Sequence, residues 1–371
     1  MTTSHHADKR VFHALDAARG IAALVVVVYH LPNAMRGNGF GSGHLAVDFF
    51  FGLSGFVLAH AYLGKLSSGQ MSLREFALVR LIRLYPLYLF SLLMLLVFLA
   101  GMLALSKPIP WSTQALAGKL PFALLMLPSP SGDPQGYLYP FNVAAWSILF
   151  ELGINLVFAM FCARILNSRT RWAVVIVSGL LFALQLIWQD EVGGASWNTL
   201  LAGVPRVFFS FFLGIQIHEW HSRRAATRPA KQGLWSLIAL AVLFGCLYAP
   251  AHLWFKLAAI FVIFPVLIMV LSFAELPRGK VGDGLAQLGV LSYAIYVVHG
   301  TVLQVWMSGY AAAGLPLPTS GLTFMLLIGA VLAVSWLADR WFDRPVRSWL
   351  QAMLRRRFNS GSARALPASR P

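Results

Sequence analysis

Arg19 and His30 stand eleven residues apart in LDAARGIAALVVVVYHLP, a stretch otherwise apolar enough to cross a bilayer. Eleven residues make close to three helical turns, so both side chains fall on one face of a helix, about 16 Å apart along it. An imidazole can take up and return a proton near neutral pH. A guanidinium keeps its charge and grips phosphate or carboxylate through paired hydrogen bonds. Either group inside a membrane helix costs a few kcal/mol unless it faces protein or water. The pair therefore predicts a polar path running from one membrane surface into the core, as an enzyme would need and an inert span would not.

Other polar groups interrupt apolar runs in the same way. Asp48 and Ser54 lie in VDFFFGLSGF, Glu151 in WSILFEL, Arg206 ahead of FFLG, and His299 in LSYAIYVVHG. A carboxylate in such a run needs a partner or a proton, and an ion pair with Arg206 is the plain structural reading of Glu151. His30 and His299, taken singly, also fit ordinary helix-contact histidines, and Asp48 and Arg206 fit anchors at span ends. The glycines flanking Ser54 suit either close helix packing or a ligand beside the backbone. Elsewhere, REFALVRLIRLYPLY sets Arg80 and Arg83 at i, i+3 on one helix face, with Arg74 nearby. Snorkelling to the membrane surface explains Arg74, whereas a phosphorylated ligand from the cytosol would explain the grouping of Arg80, Arg83 and Arg19.

These groups need a membrane frame, and the composition supplies one. Of 371 residues 58% are hydrophobic and 11% charged, with 27 Phe and 12 Trp and a mean hydropathy of +0.70. A soluble domain could not stay dispersed with so few charges, and the continuous apolar runs lack the alternation of a β-barrel. The fold class expected is all-α and polytopic. Windows of about 20 apolar residues place spans near 14–34, 46–64, 82–105, 144–163, 172–188, 199–217, 234–250, 253–274, 285–306 and 321–339. The pair at 234–250 and 253–274 is divided only by an Ala-Pro-Ala-His turn.

The net charge of +16 is a topology signal rather than a sign of nucleic-acid binding. With both termini in the cytoplasm, all but five of the 29 Lys and Arg residues fall in inner segments or at their borders; the five are Arg36, Lys107, Lys119, Arg206 and Lys256. His30, Asp48, Glu151, Arg206 and His299 then share the outer half of the membrane, which predicts a common cavity. The polar N-terminus lacks a small-residue cleavage site, so the first span is expected to be retained. Cys162 and Cys246 provide neither a disulfide framework nor a zinc site, and no metal is expected. The outer loop near 106–143 could partly cover a site. Residues 1–350 read as one transmembrane domain and 351–371 as a basic, disordered cytoplasmic tail.

In chain order, LDAARGIAALVVVVYH, VDFFFGLSGF, RLIRLYPLY, WSILFEL, the Arg206…FFLG stretch and LGVLSYAIYVVHG resemble the motif series of the membrane-bound acyltransferase 3 family. These are bacterial integral-membrane O-acyltransferases of saccharides and other envelope or secreted acceptors. The series spans about residues 14–345; each motif is modest alone, and six in order are specific. The resemblance implies an inner-membrane enzyme with no tightly bound cofactor. Its co-substrate would be acyl-CoA, commonly acetyl-CoA, reached from the cytosol, and its acceptor a saccharide or lipid-linked saccharide. His30 matches the family's first-span histidine, Arg19 the arginine before it, Arg80 and Arg83 the arginine pair beside the third span, and Glu151 the first carboxylate of a Trp-Ser-Leu-x-x-Glu-Glu motif. Two departures stand out: Ala17-Ala18 replaces the usual Gly-Leu, and Leu152 replaces the second Glu. Many members carry a C-terminal esterase-like domain, for which this chain leaves no room on the same reading, so a separate periplasmic partner stays open.

Acyl transfer to an alcohol needs a base for the hydroxyl and stabilisation of the thioester oxyanion. His30 is the expected base, oriented by Asp48 or Glu151, with Arg206 or His299 stabilising charge or binding the acceptor. Direct transfer is expected over a covalent intermediate, because Ser54, the candidate nucleophile, lacks an assured base. A secondary transporter without acyl chemistry also fits mid-membrane charges, though the Gly/Pro-broken internal repeats it favours are not visible. A rhomboid-like protease is suggested by Gly52-Leu53-Ser54-Gly55, but that motif comes too early in the chain, and His299 lacks the glycine spacing expected after it.

Overall fold

A computed structural model describes residues 12–130, 136–224 and 232–363. In chain order the principal helices are α1 (His13–Tyr29), α2 (Gly43–Ser67), α3 (Leu73–Ala104), α4 (Thr113–Leu124), α5 (Ala145–Met160), α6 (Ser168–Gln189), α7 (Gly203–Arg224), α8 (Gln232–Tyr248), α9 (Leu253–Phe273), α10 (Lys280–Ala312) and α11 (Gly321–Phe358). Among the described residues the molecule is all-α, and six helices, α2, α3, α6, α9, α10 and α11, are long and apolar enough to cross a membrane, as a polytopic protein requires. Helices α5 and α8 are shorter apolar segments. Of the ten expected spans, six fall on the long apolar helices, two on the shorter α5 and α8, and two on α1 and α7; the turn before His252 does separate α8 from α9.

Helix starts follow local chemistry. Ser72, Ser112 and Ser320 accept hydrogen bonds from the backbone N–H three residues on, as N-caps do. Ser112 thereby starts α4, a helix inside the 106–143 loop that hydrophobic windows alone could not reveal. The C-terminal end of α4 lies against α3, where the carbonyls of Ala123 and Leu124 accept the hydroxyls of Tyr88 (2.7 Å) and Tyr85 (2.6 Å). Within α11 a π-helical segment, Ala338–Asp343, precedes Pro345. Pro345 has no N–H for the carbonyl four residues back, which loosens the local ladder there. The helix persists beyond residue 350, continuing from Arg344 as far as Ala363, while residues 364–371 of the expected tail lie outside the described residues.

Two glycine contacts set the helix spacing that builds the site. A β-carbon at Gly289 would fall 2.5 Å from the Asp16 backbone, and one at Gly20 would fall 2.7 Å from Leu288. Helices α1 and α10 therefore pack almost backbone to backbone. On the other flank, a β-carbon at Gly55 would collide with the Phe211 carbonyl, and one at Gly214 with that of Gly52. That decides the glycines around Ser54 in favour of packing: they join α2 to α7.

Candidate active site

Five helices enclose a pocket of about 190 Å³. Arg19 of α1, Ser54 of α2, Arg80 and Arg83 of α3, Glu151 of α5, and Ser292, Tyr293 and Tyr296 of α10 face it. Arg80 Nη2 lies 2.8 Å from Glu151 Oε1, and the same oxygen accepts the Ser54 hydroxyl at 3.2 Å. Arg80 Nε is buried without an acceptor. Arg19 donates through Nε to Ser292 Oγ at 2.7 Å and pairs with Asp16 at 3.0 Å. The Arg83 guanidinium lies over the Tyr293 ring, 5.0 Å from its centroid. Three guanidiniums around one carboxylate and several hydroxyls make a pocket suited to an anionic, hydrogen-bonding ligand. The grouping of Arg19, Arg80 and Arg83 expected from sequence is present.

His30 ends α1. Its Nδ1 lies 2.8 Å from the Val26 carbonyl oxygen, which can only accept, so Nδ1 carries the proton and the neutral ring keeps its lone pair at Nε2. The ring is exposed and packs 5.0 Å, centroid to centroid, from the buried ring of His299. His299 is fixed in the same way, through Nδ1 to the Tyr296 carbonyl at 2.7 Å. Arg19 and His30 both turn toward α10, as their spacing requires.

The five polar groups expected to share one outer cavity do not. Asp48 and Arg206 form a closed unit: Arg206 Nε and Nη2 meet the two Asp48 oxygens at 2.7 and 2.8 Å. Arg206 Nη1 also donates to the Gly193 carbonyl at 2.8 Å, and its guanidinium lies 5.2 Å from the Trp146 ring. Gly193 presents that carbonyl from a turn at φ 65°, where a side chain would be strained. With both partners almost fully buried and every Asp48 oxygen and Arg206 nitrogen engaged, Asp48 does not orient His30, and Arg206 is committed to Asp48 and the Gly193 carbonyl. Glu151 pairs with Arg80 rather than with Arg206, because α5 runs back down beside α3. It therefore belongs with the arginine cluster and does not touch His30. The orienting partner of His30 is its own helix backbone.

Phe50, Ser147 and Tyr296 also line the arginine pocket, and His30 is not part of its wall. The Tyr296 hydroxyl lies 2.7 Å from Ser147 Oγ, and its ring stands 6.0 Å from that of His299. One continuous chamber was expected; His30 does not line the arginine pocket, and Tyr296 is the lining residue whose ring stands beside His299. Ser147, Ser292, Tyr293 and Tyr296 were not singled out from the sequence. A signal existed, since Tyr293, Tyr296 and His299 follow one another at i, i+3 along α10.

The chain matches the acyltransferase domain that defines the acyltransferase 3 family over residues 12–340. It belongs to that family. As an acyltransferase 3 protein it is a membrane acyltransferase, which implies an acyl donor, an acceptor and a bilayer. A curated relative, "Protein 2 in picA locus" of Rhizobium radiobacter, is 39% identical over 167 residues, covering 43% of this chain and 86% of the relative. No solved structure matches this acyltransferase 3 protein.

Proposed function

We propose that the protein is an O-acyltransferase of the cytoplasmic membrane that moves an acyl group, acetyl in the simplest case, from cytosolic acyl-CoA to a hydroxyl of an envelope or extracellular saccharide. The observation that carries this reading is the contact of His30 Nδ1 with the Val26 carbonyl, which leaves Nε2 as the acceptor of a neutral ring on the face of α1 that also presents Arg19 to the arginine pocket. Ten spans with both termini in the cytoplasm put Arg19, Arg80 and Arg83 on the donor side and His30 on the acceptor side. Arg19 and Arg83 hold the donor's anionic portion, and Glu151 keeps Arg80 extended into the same pocket.

His30 Nε2 takes the proton of the acceptor hydroxyl as its oxygen attacks the thioester carbonyl. The carbon–sulfur bond then breaks, and the CoA sulfur leaves with a proton returned through the imidazole. Direct transfer fits better than an acyl-enzyme, because the Ser54 hydroxyl faces a carboxylate already shared with Arg80 and no histidine. Tyr296 lines the pocket with its ring beside His299, so its displacement joins donor to base.

The test is His30→Ala. Acyl transfer, followed by mass spectrometry of the cell's glycans, should fall by about 10²-fold or more while protein level and CoA binding persist. Undiminished transfer would remove His30 from the mechanism. Absence of any acyl-CoA-dependent transfer by the wild type would remove the reading itself.

A further inference from the structure

A second cavity, of about 290 Å³, lies against the first and shares Arg19, Arg83 and Tyr293 with it. Its remaining charged walls are Asp16 of α1 and Asp339, Asp343, Arg344 and Arg347 of α11. The charges nearly cancel in pairs: Asp16 with Arg19 at 3.0 Å, Asp339 with Arg344 at 2.7 Å, and Asp343 with Arg347 at 3.1 Å. Two groups are left over. Arg83 has no carboxylate partner among the described residues, only the Tyr293 ring. Asp343 is 1% exposed, and while its Oδ2 meets Arg347, its Oδ1 is buried without a donor. A buried acceptor left unmatched costs free energy comparable to a lost hydrogen bond, so a ligand that fills it gains accordingly.

A spare cation beside a spare acceptor calls for one ligand carrying an anion and a hydrogen-bond donor close together. A phosphorylated nucleoside has both: phosphate for the guanidiniums, and a ribose hydroxyl or base amine for Asp343. We infer that this cavity receives the nucleotide end of the acyl donor, with Arg347 and Asp343 as binding residues, while the thioester arm lies in the neighbouring pocket. The inference rests on the acyl-CoA reading and adds where the nucleotide goes. Asp343, Arg344 and Arg347 fall beyond the stretch matched to the family, residues 12–340. The sharing of Arg19, Arg83 and Tyr293 lets one extended donor occupy both cavities.

Binding of adenosine 3′,5′-bisphosphate to the full-length protein in phosphatidylcholine nanodiscs, read by calorimetry, tests this directly. Arg347→Gln and Asp343→Asn should each weaken binding by at least about tenfold. Arg340→Gln, an exposed neighbour that does not line the cavity, should bind as wild type does. Because the two cavity variants could also misfold, the wild type provides a second arm. An 8-azido derivative of the same nucleotide should label peptides containing residues 290–294 or 339–347. Wild-type affinity in both variants, or labelling confined to residues 47–58 and 147–151, would overturn the inference while acyl-CoA turnover kept the parent reading intact. Competition by phosphatidylglycerol added to the nanodiscs would also overturn it, by reassigning the cavity to a lipid headgroup. A wild type that neither binds the nucleotide nor turns over acyl-CoA would overturn both.

Discussion

His30 and Asp48 look alike in the sequence, each a polar side chain near the end of an apolar run, yet their surroundings give them different work. The imidazole makes one hydrogen bond, to its own helix, and keeps a lone pair free. The Asp48 carboxylate spends both oxygens on Arg206 at 1% exposure on each side. Removing one partner of such a pair strands the other charge and costs about 3–5 kcal/mol. Asp48→Ala should therefore lower the protein's melting temperature and its yield in membranes sharply. What folded enzyme remains should keep its turnover number. A catalytic Asp48 would show the reverse, with normal thermal stability and lost turnover, so a thermal melt paired with single-turnover kinetics separates the two roles.

Helix pairs α1–α10 and α2–α7 carry the geometry, and both depend on glycine. Helix α10 could not bring Ser292 to Arg19 and His299 to His30 if Gly20 or Gly289 bore a side chain. Ser54 faces Glu151 because Gly52 and Gly55 seat the rest of α2 on α7. Gly55→Ala pushes a methyl group into the Phe211 carbonyl, and overpacking of this kind costs about 1–3 kcal/mol. The variant should give less folded protein in detergent, measured by size-exclusion yield. Gly101→Ala, where a β-carbon meets nothing within 4 Å, should match or slightly exceed wild type. Equal yields from both variants would mean that the α2–α7 approach is looser than these contacts imply.

Across the bilayer, the guanidinium-rich pockets and the exposed histidine lie toward opposite ends of α1, about 16 Å apart. That polarity matches a donor from one compartment and an acceptor in the other. Reporter fusions check the direction: green fluorescent protein should fluoresce at the C-terminus, whereas alkaline phosphatase should be active when inserted near residue 110 and inactive at the C-terminus. The opposite pattern would place the arginines outside and exclude a cytosolic donor.

Six of the ten expected spans, those on α2, α3, α6, α9, α10 and α11, were legible in the amino-acid sequence because a bilayer demands long apolar helices whatever their neighbours. The shared face of Arg19 and His30 was legible because helical periodicity is local. The grouping of Arg80 with Arg83 followed from their i, i+3 spacing in the same way. Helix α4 was hidden, since a serine cap in a mixed loop leaves little hydrophobic signal. Which charge meets which was hidden as well. Glu151 could have paired with Arg206 or Arg80, and only the descent of α5 beside α3 decided for Arg80. Asp343 and Arg347 could be seen as charges at the end of the last apolar run, but nothing local brings them to Arg83, more than 250 residues earlier in the chain. Periodicity and hydropathy act along one helix, whereas partners for buried charge are chosen between helices, by packing that brings distant segments to the same depth.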